Sequence, residues 1–299
     1  MRILFITSNR IGDAVLSSGL VAHLLATYPQ ARLTIACGPL AAPFFARTPR
    51  LERLIAFDKR RFGLHWLGLW AKLIGRRWDF VVDNRGSLMG YFLLSRRRAR
   101  LIRRPGPKIA EIGAILGLDP PPLPTVWTAP EDEAKAEALL PGPGPYVALA
   151  PTANWPGKIW PAERFARAFE QIAANVLPGA RAVIFAGPGP EEAERAAPLR
   201  ARLPGAIDLG GRLTLFEAAA CLKRVALFIG NDSGLMHLAA ASGAPTIGLF
   251  GPTPASVYAP AGPRARAVVA PAAEMTAIGV EAVVAAARDL LGSMERAAE

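Results

Sequence analysis

Cysteine is nearly missing from this chain of 299 residues: only Cys37 and Cys221 occur, and neither belongs to a C-x-x-C pair. That argues against a disulfide framework or a zinc ribbon and fits a reducing compartment. There are only three histidines, and no pair of His or carboxylate residues has metal-ligand spacing, so no metal ion and no cofactor is expected. No uninterrupted run of about 18 apolar residues exists, which speaks against a membrane-spanning helix. The short apolar stretch after Met1-Arg2 is broken by Arg10 and Asp13, unlike a secretory signal. Walker A, G-x-G-x-x-G and G-x-S-x-G patterns are missing, and with them the P-loop, dinucleotide and serine-hydrolase signatures. So are helix-turn-helix, zinc-finger and RNA-binding signatures, which ranks nucleic acid low as a partner. The expectation is a cytoplasmic protein, soluble or peripheral to a membrane.

What the sequence has is apolar content (52%) and positive charge, 35 Lys+Arg against 24 Asp+Glu. The apolar share suffices for a core, and the length suggests two domains of roughly 100–200 residues each. The charge is uneven: residues 1–145 carry 21 basic and 11 acidic side chains, residues 146–299 carry 14 and 13. Between Arg47 and Lys108, 17 basic residues face only four acidic ones. Such asymmetry points to an acidic partner for the N-terminal half. Within it, residues 59–78 combine Lys59-Arg60-Arg61 and Arg76-Arg77 ends with Trp66, Trp70 and leucines. This is the composition of a helix lying in a membrane interface, and equally of an amphipathic helix packed on a sheet. A second basic run, Arg96-Arg97-Arg98-Ala99-Arg100, strengthens the case for an anion, with phosphorylated lipid ranked above nucleic acid.

Strand and helix patterns alternate. Arg2–Thr7, Arg32–Ala36, Leu54–Phe57 and Phe80–Val82 read as strands, and Gly12–Ala26 as a helix with Val15, Leu16, Leu20 and Leu24 near one face. Residues 119–145 are proline-rich and read as the connection between a domain over 1–145 and one over 146–299. The alternation resumes with strands at Tyr146–Ala150, Ala182–Ala186, Ala226–Ile229 and Thr246–Phe250. Helices are expected at Ala162–Ala174, Glu191–Leu203, Leu215–Leu222, Ser233–Ala241 and Val280–Leu291. The fold class is α/β: two Rossmann-like halves with mostly parallel sheets, facing across a cleft lined by strand carboxyl ends.

Three segments carry chemistry. In Ser8-Asn9-Arg10-Ile11-Gly12-Asp13, Asp13 opens a helix; it complements the helix dipole there, or serves as a general base for a hydroxyl. In Pro151-Thr152-Ala153-Asn154-Trp155-Pro156-Gly157-Lys158, a lysine sits in a rigid loop after a strand. Lysine is one of only six here, and its compact ammonium suits a phosphate, although a solvated surface charge is the plain alternative. In Asn231-Asp232-Ser233-Gly234-Leu235-Met236-His237, Asp232 or Ser233 would cap a helix whose free N–H groups make an anion site. Gly234 removes the side chain that would block a diphosphate, and His237 falls one turn in.

These segments, with Lys158-Ile159-Trp160-Pro161 and Gly243-Ala244-Pro245-Thr246-Ile247-Gly248-Leu249-Phe250-Gly251-Pro252-Thr253, resemble family 9 glycosyltransferases, the bacterial ADP-heptose:lipopolysaccharide heptosyltransferases. The resemblance implies a GT-B fold with an acceptor-binding N-terminal and a nucleotide-sugar-binding C-terminal domain. It implies metal-independent, inverting transfer of a heptose from ADP-heptose to the inner core on lipid A, at the cytoplasmic face of the inner membrane. Asp13 then corresponds to the catalytic base and Lys158 to the donor-phosphate lysine. Asp232, Ser233, Gly234 and His237 correspond to the diphosphate turn, and either Glu191 or Glu192 to the ribose-binding glutamate. Thr152 and Asn154 complete the expected donor contacts; Arg10, Arg60, Arg61, Arg97 and Arg98 are expected to meet the anionic acceptor. A nucleotide-sugar epimerase and a basic anion- or nucleic-acid-binding module are the alternatives.

Overall fold

The computed structural model describes residues 1–58 and 61–298. The chain divides into two units, Met1–Trp127 and Thr128–Glu299. In the first, β1 (Arg2–Ile6), β2 (Arg32–Cys37), β3 (Leu51–Ala56), β4 (Trp78–Asp83) and β5 (Ser95–Arg100) form an all-parallel sheet in the order β3-β2-β1-β4-β5. Its helices are α1 (Ile11–Thr27), α2 (Ala42–Phe45), α3 (Leu64–Leu73) and α4 (Lys108–Gly113). The central strands are apolar and buried on both faces, as a parallel sheet requires: Ile3, Leu4, Phe5, Ile6, Leu33 and Ile35 have no exposed surface.

The second unit contains α5 (Pro130–Leu139), β6 (Tyr146–Ala150), α6 (Ala162–Asn175), β7 (Arg181–Ile184), α7 (Pro190–Arg202) and β8 (Ile207–Asp208). It continues through α8 (Leu215–Lys223), β9 (Leu227–Asn231), α9 (Gly234–Ala241), β10 (Thr246–Phe250), α10 (Ala255–Tyr258), β11 (Ala265–Val269) and α11 (Val280–Ala298). Its parallel sheet runs β11-β10-β9-β6-β7-β8. Val147, Leu149, Ile229, Ile247 and Leu249 pack with Trp160, Phe165, Val283 and Ala287 from the covering helices and loops in one core.

Several expectations need correction. The proline-rich stretch 119–145 is not one linker: the division falls after Trp127, and residues 130–139 form a helix. Pro130 opens that helix in its first turn, where a missing N–H costs nothing. Two ion pairs tie α5 to α8, Lys135–Glu217 and Lys223–Glu133, each at 2.7 Å. The run Ser95–Arg100 is an edge strand, its long cationic side chains alternating between faces and protecting the sheet edge. In 59–78 the helix covers only Leu64–Leu73, and Trp78, almost fully buried, already belongs to β4. A further strand forms at Ala265–Val269, where the sequence has no long apolar run to announce it, and the last helix runs beyond Leu291 to Ala298.

Candidate active site

In an open parallel sheet, ligands bind beyond the strand carboxyl ends where the strand order reverses. That switch lies between β1 and β4 in the first unit and between β6 and β9 in the second. All three segments singled out in the sequence begin at these strands.

At the β6/β9 switch, Lys158 Nζ lies 2.6 Å from Asp232 Oδ2, with side chains 18% and 10% exposed. Lys158 ends a short 3-10 turn, Pro156–Lys158, and the Trp155 indole covers Gly157 so closely that a Cβ there would overlap it. The backbone N–H of Trp160 donates to Asn231 Oδ1 at 3.1 Å, and its indole N–H donates to the Ile278 carbonyl, also at 3.1 Å. The first bond ties the loop after β6 to the end of β9, and the second ties it to the segment that leads into α11. Thr152 is buried and Asn154 exposed in the same loop.

Ser233 holds the N-cap position of α9, but its side chain makes no capping bond, and Asp232 is turned to Lys158 instead. The expected cap is therefore not formed. Lysine competes for the carboxylate more strongly than a neutral N–H does. The first N–H groups of α9 remain available for an anion. Ser233 Oγ and Asn231 Nδ2 are buried and have no partner among the described residues. Gly234 opens the helix, and His237 is buried in its first turn. The acidic pair divides: Glu192 accepts from the Gly187 N–H at 2.9 Å, whereas Glu191 reaches into solvent, 80% exposed, 3.2 Å from Arg195. Arg195 also donates to the Ala153 carbonyl at 2.8 Å, linking α7 to the Lys158 loop.

At the β1/β4 switch, Asp13 is the third residue of α1 and half-buried. Ser8 Oγ donates to Asp13 Oδ2 at 3.0 Å, and Arg10 N–H donates to Ser8 Oγ at 3.3 Å. Its place in the first turn of α1 sets the carboxylate at the positive end of the helix dipole. A Cβ on Gly38 would strike the Asn9 side chain, so glycine there lets β2 accommodate this turn.

Sequence reading missed the neighbouring turn after β4. Asp83 is buried and accepts from the Arg85 N–H at 2.8 Å and from Ser87 Oγ. Burial pushes the Asp83 carboxyl up, opposed by its bonds to Ser87 and Arg85. Burial likewise pulls the Arg85 guanidinium down, opposed by the Asp83 charge. Asn84 Nδ2 donates to Thr7 Oγ1 at 3.1 Å, and Arg85 Nη1 donates to Asn9 Oδ1 at 3.2 Å. The signal that finds this turn is its place beside β1, which requires the strand order.

The basic candidates scatter. Arg10 and Arg61 are exposed, and Arg60 lies outside the described residues. Arg97 donates to Tyr28 Oη at 2.7 Å and lies over Phe80, while Arg98 donates to the Gly90 carbonyl at 2.7 Å. Both are engaged within their own unit and belong to the edge strand, not to the turn that carries Asp13. Among the described residues, no three His, Cys, Asp or Glu side chains gather as metal ligands.

The family model of glycosyltransferase family 9 (heptosyltransferase) matches residues 110–283. The chain belongs to this family. This glycosyltransferase is 27% identical to lipooligosaccharide heptosyltransferase 2 of Haemophilus influenzae, over 85% of this chain and 84% of that one. In fold it is similar to ADP-heptose LPS heptosyltransferase II of E. coli, with a TM-score of 0.77, 20% identity and coverage of 99% and 100% of the two chains. The family 9 glycosyltransferase of Veillonella parvula gives a TM-score of 0.79 at 20% identity, over 98% and 97%. The fold is thus that of the GT-B heptosyltransferases.

Proposed function

We propose that this enzyme transfers a heptose, with inversion and without a metal ion, from ADP-heptose to the lipopolysaccharide inner core on lipid A. The Lys158–Asp232 pair beside the uncapped start of α9 carries this reading. Cleaving the sugar–diphosphate bond builds negative charge on the departing phosphate. An ammonium and the fixed N–H donors of the helix start stabilise that charge. Lys158 exchanges Asp232 for the diphosphate, Ser233 Oγ and Gly234 N–H complete the cradle, and His237 lines it. Thr152, Asn154 and either Glu191 or Glu192 position the nucleoside. Asp13 takes the proton from the acceptor hydroxyl as that oxygen attacks the anomeric carbon, with the Ser8 hydroxyl holding the carboxylate. Attack opposite the leaving diphosphate inverts the anomeric centre. Names of relatives support the sugar and acceptor: the E. coli structure is called an ADP-heptose LPS heptosyltransferase.

The lipid-linked acceptor suits a peripheral cytoplasmic enzyme. No described helix is long and apolar enough to cross a membrane. The first unit instead exposes Phe62 (97%), Leu64, Leu67, Tyr91 and Phe92 within its arginine-rich stretch, chemistry that suits an anionic bilayer surface.

With ADP-heptose and a lipid A-linked core acceptor, Asp13→Asn is expected to leave donor KM near the wild-type value and lower kcat by ~10²-fold or more. Near-normal turnover refutes the base role. Turnover should survive EDTA, and a strict Mg²⁺ requirement refutes the metal-free scheme. Sedimentation with phosphatidylglycerol vesicles, but not with phosphatidylcholine vesicles, is the expected sign of membrane contact.

A further inference from the structure

The turn after β4 holds a cation that the scheme above does not use. The Arg85 guanidinium lies over an aromatic floor, 5.3 Å from the Phe57 ring centre and 5.0 Å from that of Trp66. Phe57 and Trp66 are 5.6 Å apart and tilted by 49°, and His65 stacks on Phe57 at 6.2 Å. Among the described residues only Asn9 Oδ1 accepts a hydrogen bond from the guanidinium. Asp83 is occupied by the Arg85 backbone N–H and by Ser87. One face of the fork is therefore fixed by stacking and one corner by Asn9, while its other N–H groups donate to no described residue. Asn9 belongs to the turn in which Ser8 holds Asp13. A planar donor held rigid and half out of water is preorganised for bidentate binding of a carboxylate or phosphate.

We propose that Arg85 on its Phe57–Trp66 floor is a specificity residue that binds an anionic oxygen group of the acceptor next to the hydroxyl activated by Asp13. The proposal rests on the acceptor role of the first unit given above. Stacking sets the plane of the fork, and Asn9 couples its position to the Asp13 turn. The acceptor is thereby selected by charge beside the reacting alcohol, and a neutral sugar chain loses that contact.

The test compares wild type, Arg85→Gln and Arg85→Lys in the full-length chain. Each is assayed with ADP-heptose and three acceptors: the lipid A-linked core, the same after phosphatase treatment, and the same with its carboxylates methyl-esterified. Arg85→Gln should raise the KM for the intact acceptor about 10- to 100-fold, the loss of one charged hydrogen-bonding pair, with donor KM unchanged. Arg85→Lys should recover part of this. One modified acceptor should show the same high KM with wild type and with Arg85→Gln, and which one it is separates phosphate from carboxylate. An equal rise for all three acceptors, or none, overturns the proposal. Calorimetric binding of the same acceptors needs no turnover. If wild type binds the charged acceptors in an Arg85-dependent way but transfers nothing, the heptosyl-transfer reading fails and the Arg85 site stands.

Discussion

Removing the Lys158 ammonium should cost stability as well as catalysis, and unequally for the two partners. At 2.6 Å and an effective dielectric constant of about 20, the attraction is about 6 kcal/mol before desolvation. Much of it is offset by the cost of taking both charges out of water. A fully buried pair broken on one side costs about 3–5 kcal/mol and an exposed one about 0–1 kcal/mol. With side chains 18% and 10% exposed, Lys158→Ala falls between these, at about 2 kcal/mol, because it strands a carboxylate with little access to water. For a body of this size that is roughly 4–8 °C in Tm. Asp232→Asn should cost less, since the lysine stem can turn its ammonium outward. Thermal melts with and without ADP check both parts. Saturating ADP at about 100 times its Kd stabilises a binding-competent fold by about 2.7 kcal/mol. Wild type should gain this, and Lys158→Ala should gain clearly less. A Lys158→Ala protein that melts like wild type and responds equally to ADP refutes both the pairing energetics and the phosphate role.

Gly19→Ala should destabilise, although alanine is the better helix former by about 1 kcal/mol. A Cβ there would lie 2.4 Å from the Pro122 carbonyl oxygen and 2.5 Å from that of Leu123, so overpacking against backbone of about 1–3 kcal/mol or more decides the sign in urea unfolding. Burial pushes the Cys37 thiol up to about 12 and the Cys221 thiol up to about 11. Neither should react with a disulfide reagent at pH 8 until denaturant is added, and rapid native labelling contradicts that burial. The Lys135 and Thr214 hydrogen bonds hold the Glu217 carboxyl below its ordinary 4.5. Its contribution to stability is therefore complete above pH 4.5 and is lost as pH falls below that through the folded-state value. Acid unfolding of Glu217→Gln should accordingly show a weaker pH dependence than wild type in that window.

Local pattern decided much of this protein. The short continuous apolar runs of β1, β2, β6, β9 and β10 sufficed to place two parallel α/β halves, because a buried parallel strand must be apolar on both faces. Asp13, Lys158 and the 231–237 turn were visible because each polar cluster follows such a strand directly. Proline content misled at 130–139, where Pro130 starts a helix that docks on α8, and the edge strand at 95–100 lacks the apolar pattern that would announce it. The pairing of β6 with β9 and of β1 with β4 brings Lys158 to Asp232 and Arg85 to Asn9, residues 74 and 76 positions apart. Those contacts depend on which strands lie side by side, a long-range packing outcome that neighbouring residues along the chain do not encode.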